Sequence, residues 1–328
     1  MLDLQTSGPA RQRYRFHDFE PAPDDFRAAL VAGLDQAPRG IPCRFLYDRR
    51  GSELFDAICR TPEYYPTRTE LRILKDYAPD MAARMGPDVR LVELGSGSSA
   101  KVGLLLNALQ DPAAYVPIDI SREHLLDAAG RIAAAHPDVE VHAVCADYSA
   151  PFSLPSTAGR GRRVAFFPGS TIGNFTPGEA EVFLRRWARR LGPGAQMLIG
   201  VDLQKDAAEL EAAYDDADGV TAQFSLNVLA RANRELGADF DLAGFRHEAR
   251  YLADEGRVAI HLRSLADQSV RVGDRRFAFG EGEPIHIEDS WKYTPAGFQD
   301  LADKAGYAPE AWWTDSRRRF SVHLLQVR

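Results

Sequence analysis

Between Val89 and Val201 the chain repeats one pattern: a short apolar run, a polar turn, then apolar positions at helical spacing. Val89-Arg90-Leu91-Val92-Glu93-Leu94 is predicted as a strand, followed by the turn Gly95-Ser96-Gly97-Ser98-Ser99 and a helix over 101–109. Four more strands are predicted over 114–120, 139–144, 163–167 and 196–201, with helices over 123–135 and 177–191. Apolar runs of this kind suit strands covered on both faces. Their alternation with helices predicts a doubly wound, mostly parallel α/β sheet.

Upstream, helical patterns are predicted over 24–34 and over 52–58, the second capped by Ser52, with Pro38-Arg39-Gly40-Ile41-Pro42 as the interruption. A long helix is predicted over 67–85, burying Leu71, Ile73, Leu74 and Met81. After Asp202 the rhythm breaks. Helices over 206–213 and 221–236 give way to β-like runs over 258–263, 269–272 and 276–279. Helix and strands return over 295–305, 311–314 and 320–327. The expected organisation is a flexible tail over 1–13, a substrate-binding domain from 14–60 and 203–290, and a nucleotide-binding domain from 61–202 and 291–328.

Composition narrows the function classes. With 40 Lys plus Arg against 47 Asp plus Glu, the net charge of −7 argues against nucleic acid as a main partner, because neutralising phosphates needs a basic face. Three cysteines without CxxC spacing predict neither a disulfide framework nor a zinc site and fit a reducing cytoplasm. The eight histidines are scattered, and His247-Glu248 lacks the second histidine of an HExxH helix, so no metal is expected. No signal peptide and no apolar run of membrane-spanning length is visible. A cytoplasmic monomer with no membrane partner is the expectation. Trp312-Trp313 is expected in the core, and Arg317-Arg318-Arg319 in a hairpin turn. Ser170 does not sit in a GxSxG elbow, since Pro168 and Ile172 replace the glycines.

The candidate chemistry begins at the Gly-rich turn. In a doubly wound sheet, ligands bind beyond the carboxyl ends of the strands, and glycine there lets the backbone come close. Asp119 ends the second predicted strand, where a carboxylate can accept from ribose hydroxyls; Asp147-Tyr148 follows the third, where adenine would lie. With Glu93, these acids stand at consecutive strand ends. They suggest S-adenosylmethionine, with NAD as the competing cofactor.

Several further segments are unusual: Phe45-Leu46-Tyr47-Asp48-Arg49-Arg50-Gly51-Ser52-Glu53-Leu54-Phe55, Thr61-Pro62-Glu63-Tyr64-Tyr65-Pro66-Thr67-Arg68-Thr69-Glu70 and Gly169-Ser170-Thr171-Ile172-Gly173-Asn174. Ala213-Tyr214-Asp215-Asp216-Ala217-Asp218-Gly219-Val220-Thr221-Ala222 and Glu288-Asp289-Ser290-Trp291-Lys292 complete the set. From about Arg44 to the C-terminus, the chain resembles the L-histidine Nα-methyltransferase family of ergothioneine biosynthesis. The resemblance implies a Rossmann-like class I methyltransferase domain with a second, α+β substrate-binding domain. It also implies S-adenosylmethionine as methyl donor and free L-histidine, trimethylated to hercynine, as substrate. Any later pathway step is then expected on a separate protein.

Carried over residue by residue, the resemblance implies that Gly95, Lys101, Asp119, Asp147 and Tyr148 bind S-adenosylmethionine. Asn174 and Tyr214 match the pair on the substrate carboxylate; Tyr64, Glu288 and Ser290 match the groups around the imidazole. Tyr47, Gly169 and Thr171 match the catalytic region near the α-amine. Ile260 departs from the methionine of well-known histidine-specific members, keeping the position apolar while changing its shape. The alternatives are a methyltransferase for another small amino acid or biogenic amine, or a non-catalytic nucleoside-binding regulator. The competing expectation for Glu288 is a surface bridge to Lys292 or Arg263.

Overall fold

The computed structural model describes residues 14–19, 25–96 and 99–328. The expected tail over 1–13, with Gly97 and Ser98 of the Gly-rich turn, lies outside the described residues. The chain opens with strand β1 (Arg15–Asp18), helix α1 (Phe26–Leu34), the short β2 (Arg39–Gly40), and helices α2 (Arg49–Ile58) and α3 (Pro66–Met85). Alternation follows: β3 (Arg90–Leu94), α4 (Ser99–Ala108), β4 (Ala114–Asp119), α5 (Arg122–Ala135), β5 (Glu140–Cys145), β6 (Arg163–Phe167), α6 (Pro177–Leu191) and β7 (Gln196–Asp202). Helices α7 (Ala207–Tyr214) and α8 (Val220–Leu236) then lead into β8 (Phe245–Leu252), β9 (Arg257–Ser264), β10 (Gln268–Val272), β11 (Arg275–Phe279) and β12 (Pro284–Trp291). The chain closes with α9 (Pro295–Lys304), β13 (Tyr307–Thr314) and β14 (Phe320–Val327).

Eight strands form one sheet in the order β1-β5-β4-β3-β6-β7-β14-β13. All neighbours from β1 to β7 are parallel, while β14 runs antiparallel to both β7 and β13. This is the class I methyltransferase arrangement. Side chains alternate between the two faces of this sheet: Val164 and Phe166 of β6 pack beneath α3, α4 and α5, and Ala165 and Phe167 pack beneath α6 and α9. The chain order turns back between β3 and β6, so the crevice where such sheets bind ligands lies beyond the carboxyl ends of that pair.

A second core is built from α1, α2, α7, α8 and the four-stranded sheet β2-β12-β9-β8, with the β10–β11 hairpin packed on it. Leu30, Phe45, Phe224, Val228, Ile260, Leu262 and Ile285 are all buried there. It is an α+β unit.

Three expectations change. Residues 15–18, assigned from the sequence to the substrate-binding unit, instead extend the large sheet as β1, parallel to β5, with Phe19 N–H donating to Cys145 O at 3.0 Å. Tyr14 and Phe16 supply the reason, since both pack against the core beneath α3, α4 and α5. Tyr64 and Tyr65, assigned to the nucleotide-binding unit, belong to the second core. Helix α2 is capped by Asp48, which accepts from Gly51 N–H at 2.7 Å, rather than by Ser52. No helix among the described residues is long and apolar enough to cross a membrane.

Candidate active site

Gly95 leaves β3 at φ +76°, and a Cβ there would stand 3.7 Å from Tyr148 Cε1. The positive φ explains glycine at this position. Asp119, at the end of β4, accepts from Ser121 N–H at 2.8 Å, and burial raises its carboxyl above the ordinary range. Asp147 accepts from Ser149 N–H and Oγ–H through Oδ1, at 2.7 and 2.6 Å. Tyr148 sets its ring edge-on to Phe167 and Phe183. This end of the sheet thus offers carboxylate oxygens near two strand ends, an aromatic ring and a glycine at positive φ, a set that fits the ribose and adenine of S-adenosylmethionine. Glu93 does not join this set. It is buried, takes a hydrogen bond from Tyr115 Oη on β4, and is pushed by burial up to about 8. It ties β3 to β4.

Lys101, on the first turn of α4, pairs with Glu70 at 2.5 Å, and Glu70 also accepts the Gly169 N–H at 3.0 and 2.9 Å. Glu70 is fully buried, so one carboxylate on α3 ties Lys101 to the loop after β6. That loop forms a 3-10 turn, Thr171–Asn174. Ser170 enters it at φ 55° and accepts the Asp202 N–H through Oγ at 2.9 Å, which fastens the turn to β7. Thr171 donates its hydroxyl hydrogen to Pro168 O at 3.0 Å, so its oxygen lone pairs remain free to accept. Asn174 is half-buried, and its amide makes no hydrogen bond among the described residues. Gly173 lies so close to β12 that a Cβ would meet Trp291 O at 2.7 Å. Asn174 is therefore held beside the strand that carries Glu288 and Ser290.

A bulge between His286 and Glu288 shapes that strand. Before it, Ile285 opposes Leu262; after it, Glu288 opposes Ile260 and Ser290 opposes Val258. Directly opposed residues share a face. The bulge therefore turns Glu288 and Ser290 to the side of Ile260, Val258 and the apolar core, which plain alternation from Ile285 would have denied them. Burial pushes Glu288 up to about 7, against the lowering influence of Lys292. Neither surface bridge expected for Glu288 forms. Arg263 pairs with Glu248 at 2.7 Å, and Lys292 points elsewhere.

Lys292 is fully buried and donates to Asp202 at 2.7 Å, Tyr214 Oη at 2.7 Å and Ser290 Oγ at 2.8 Å. The two hydroxyls are themselves 2.8 Å apart. On its other side Asp202 accepts from Lys205 at 2.7 Å and from Tyr65 Oη at 2.9 Å. Burial alone would raise the Asp202 carboxyl; its two ammonium partners outweigh that and hold it below the ordinary range.

Aromatic rings close the space. Tyr64 packs edge-on to Tyr214 with centroids 6.0 Å apart, and its phenol has no hydrogen-bond partner among the described residues. Tyr47 meets Phe55 and Phe224 edge-on yet keeps 40% of its surface accessible, so it borders open space rather than core. Its phenol is driven well above an ordinary tyrosine, by desolvation first and then by the Glu288 carboxylate, with a smaller push from Tyr148. Tyr47 is thus an exposed ring within electrostatic reach of both Glu288 on β12 and Tyr148 after β5.

The residues singled out in the sequence fall into two neighbouring groups. Gly95, Lys101, Asp119, Asp147 and Tyr148 lie at strand ends and turns of the large sheet. Tyr47, Tyr64, Tyr214, Ile260, Glu288 and Ser290 belong to the second unit, and Gly169, Thr171 and Asn174 run between the groups. Sequence reasoning missed Glu70, Asp202, Lys205 and the true partners of Lys292. Glu70 and Lys292 stood inside quoted motifs, which was the available signal. Among the described residues no group of three or more His, Cys, Asp or Glu could hold a metal ion.

Comparison with known proteins finds a family and relatives over most of the chain. Residues 26–327 match the family described as histidine-specific methyltransferase, SAM-dependent. The chain is 43% identical over 311 residues to the histidine N-alpha-methyltransferase of Mycolicibacterium smegmatis, covering 93% of this chain and 96% of that protein. It is 32% identical to ergothioneine biosynthesis protein 1 of Neurospora crassa, covering 88% of this chain and 33% of the fungal one. Among solved structures, the CcbJ methyltransferase of Streptomyces caelestis aligns with a TM-score of 0.44 at 15% identity, over 77% of this chain and 95% of that one. With a family match that takes in every described helix and all strands but β1, and a relative 43% identical over 93% of this chain's length, the chain belongs to the SAM-dependent, histidine-specific methyltransferase family.

Proposed function

We propose that this protein trimethylates the α-amine of free L-histidine to hercynine, the first step of ergothioneine biosynthesis. One observation carries the reading beside the family membership: Glu288 and Ser290 share a strand face, and Ser290 is hydrogen-bonded to Tyr214 at 2.8 Å. Groups suited to a ring and groups suited to a carboxylate therefore adjoin. A product amine bearing three methyl groups has no N–H to donate, so an enzyme that acts repeatedly on one nitrogen must hold the molecule by its other ends.

In this reading Tyr214 and the unpartnered amide of Asn174 hold the carboxylate, while Glu288, Ser290 and Tyr64 surround the imidazole above Ile260. A carboxyl with its pKa near 7 can donate to a neutral imidazole or accept from an imidazolium, which suits a ring whose own pKa is about 6.5. Thr171, its hydrogen already committed to Pro168 O, accepts an N–H of the amine and aims the nitrogen lone pair. Gly169 leaves room between Thr171 and Lys101, where a Cβ would lie 3.5 Å from one and 3.6 Å from the other. Tyr47 closes the wall. When bound at Gly95, Lys101, Asp119, Asp147 and Tyr148, S-adenosylmethionine supplies the electrophilic methyl group. Alignment is the main contribution of the protein, and orientation of this kind can lower a barrier by about 7–11 kcal/mol.

The test is mass spectrometry of reactions with histidine, histamine and tryptophan. Histidine is expected to gain three methyl groups, with little turnover of the other two. Failure of histidine to be methylated, or a clear preference for either competitor, rejects the reading.

A further inference from the structure

The directly hydrogen-bonded charges beneath Tyr214 are two ammoniums to one carboxylate, with Glu288 and Glu209 acting on the lysines only at longer range. Asp202 is a single buried carboxylate with two ammonium partners, Lys205 and Lys292, each at 2.7 Å. Both lysine side chains are essentially out of solvent, at 8% and 0% exposure. Burial of an excess charge is costly without a counter-ion. Lys205 also spends its hydrogens away from the candidate site, on Tyr65 Oη and Leu203 O. Lys292 spends its hydrogens toward that site.

A lysine ammonium has three hydrogens and no lone pair. Those of Lys292 go to Asp202, Tyr214 Oη and Ser290 Oγ, so both hydroxyl oxygens are acceptors toward the lysine. The hydroxyls carry two hydrogens between them. At 2.8 Å, one of these spans the pair, and the other has no acceptor among the described residues. A buried donor without a partner, backed by a cation that shares its one bonded carboxylate with a second ammonium, is matched to an anion. Burial works against the charge of Lys292, but Asp202 and the hydrogen bonds to Asp202 and Tyr214 outweigh it and keep the ammonium protonated more firmly than in a free lysine.

We propose that Lys292 is the positioning residue for the carboxylate end of the substrate: it fixes Tyr214 and Ser290 as acceptors, leaves one hydroxyl hydrogen of that pair to donate outward, and holds a positive charge, its carboxylate partner shared with Lys205, one hydrogen bond behind it. The inference rests on the reading of Tyr214 as a carboxylate contact. It adds a consequence for the ring. When the Tyr214 hydrogen goes to the carboxylate, the Ser290 hydrogen must go to Tyr214, so Ser290 meets the imidazole as an acceptor. The ring then presents an N–H to Ser290.

The experiment compares histidine with histamine, which keeps the ring and amine but lacks the carboxylate, by calorimetric binding to the enzyme loaded with S-adenosylhomocysteine. Lys292→Met leaves Asp202 paired with Lys205 as a balanced ion pair, so the fold is expected to survive; Lys292→Gln is the second variant should it not. Histidine affinity is expected to fall about 10- to 100-fold in either variant, affinity for histamine, which keeps only the Ser290 contact with the ring, to fall by a clearly smaller factor, and affinity for S-adenosylhomocysteine to hold. Lys292→Arg keeps the charge and is expected to restore most of the preference for histidine. Equal loss for histidine and histamine, or a variant that still prefers histidine as the parent does, overturns the proposal. A parent enzyme that fails to methylate histidine at all overturns the underlying function instead, so the two failures are distinguishable.

Discussion

Glu288 and Ile260 stand directly opposite each other across β12 and β9, on the first pair after the bulge at His286. An acid that titrates near neutrality and a buried aliphatic side chain thus face the same space. The acid suits a ring nitrogen and the aliphatic group a ring face, a division of labour set by one extra residue in one strand.

Ile260 belongs to this pair and to the core together, and truncation separates the two roles. Ile260→Ala is expected to cost about 2–4 kcal/mol in stability, as a large-to-small core change does. If it also packs the imidazole, histidine affinity falls by about tenfold while S-adenosylhomocysteine affinity is unchanged. Denaturant unfolding and calorimetry read the two effects. A variant that is destabilised but binds histidine normally assigns Ile260 to the core alone.

The titration of Glu288 carries a sign. Its folded pKa of about 7 lies above the 4.5 of an exposed glutamate, so folding tightens its hold on the proton. The stability it contributes is complete below pH 4.5 and is lost as pH rises through 7. Glu93, pushed up to about 8, acts in the same direction. Glu288→Gln cannot ionise, so the ligand-free variant is expected to gain about 1–3 kcal/mol on the parent between pH 5 and pH 8. Denaturant titrations at both pH values check this, and parallel pH dependence in the two proteins refutes it.

Glu70 links Lys101 to Gly169, and its place depends on Gly200 of β7. A Cβ on Gly200 would meet Glu70 Oε1 at 2.1 Å and Phe320 Cε1 at 3.1 Å. Gly200→Ala is therefore expected to displace the carboxylate, costing about 1–3 kcal/mol in stability. It should also weaken S-adenosylhomocysteine binding, because Lys101 loses its only salt-bridge partner among the described residues. Retention of parental cofactor affinity in a measurably destabilised variant would show that Lys101 needs no help from Glu70.

The difference between what was legible in the sequence and what was not follows from locality. The strands of the large sheet announce themselves because each is an apolar run, as in Leu91-Val92 or Val164-Ala165-Phe166-Phe167. β8 does not, because Phe245, His247 and Ala249 turn inward between Arg246, Glu248 and Arg250, and the charges hide the period. The bulge in β12 is invisible in Ile285-His286-Ile287-Glu288-Asp289-Ser290, which looks like plain alternation; only pairing with β9 shows the slip. The resemblance supplied the residues proposed to surround the substrate, since they lie in long motifs. The residues that hold them in place, Glu70 and Asp202, act across 99 and 90 positions of the chain, on Gly169 and Lys292, and no local pattern reports such a contact.

Gly173 offers the sharpest test of how the two groups of site residues are joined. It has a negative φ and is not needed for a special backbone conformation. Its small size is needed because Trp291 O lies where a Cβ would be 2.7 Å away, and Trp291 N would be 3.3 Å away. Both Trp291 atoms are backbone of a paired strand and leave little to yield, so Gly173→Ala must push the 171–174 turn away from β12. The cofactor groups on β4 and after β5 do not touch this contact, whereas Asn174 moves with the turn. A displacement of about 1 Å is enough to cost on the order of a hundredfold in a reaction that depends on alignment. The variant is expected to bind S-adenosylhomocysteine normally while kcat/KM for histidine falls by about that factor. Equal activity in parent and variant would mean that Asn174 takes no part in holding the substrate.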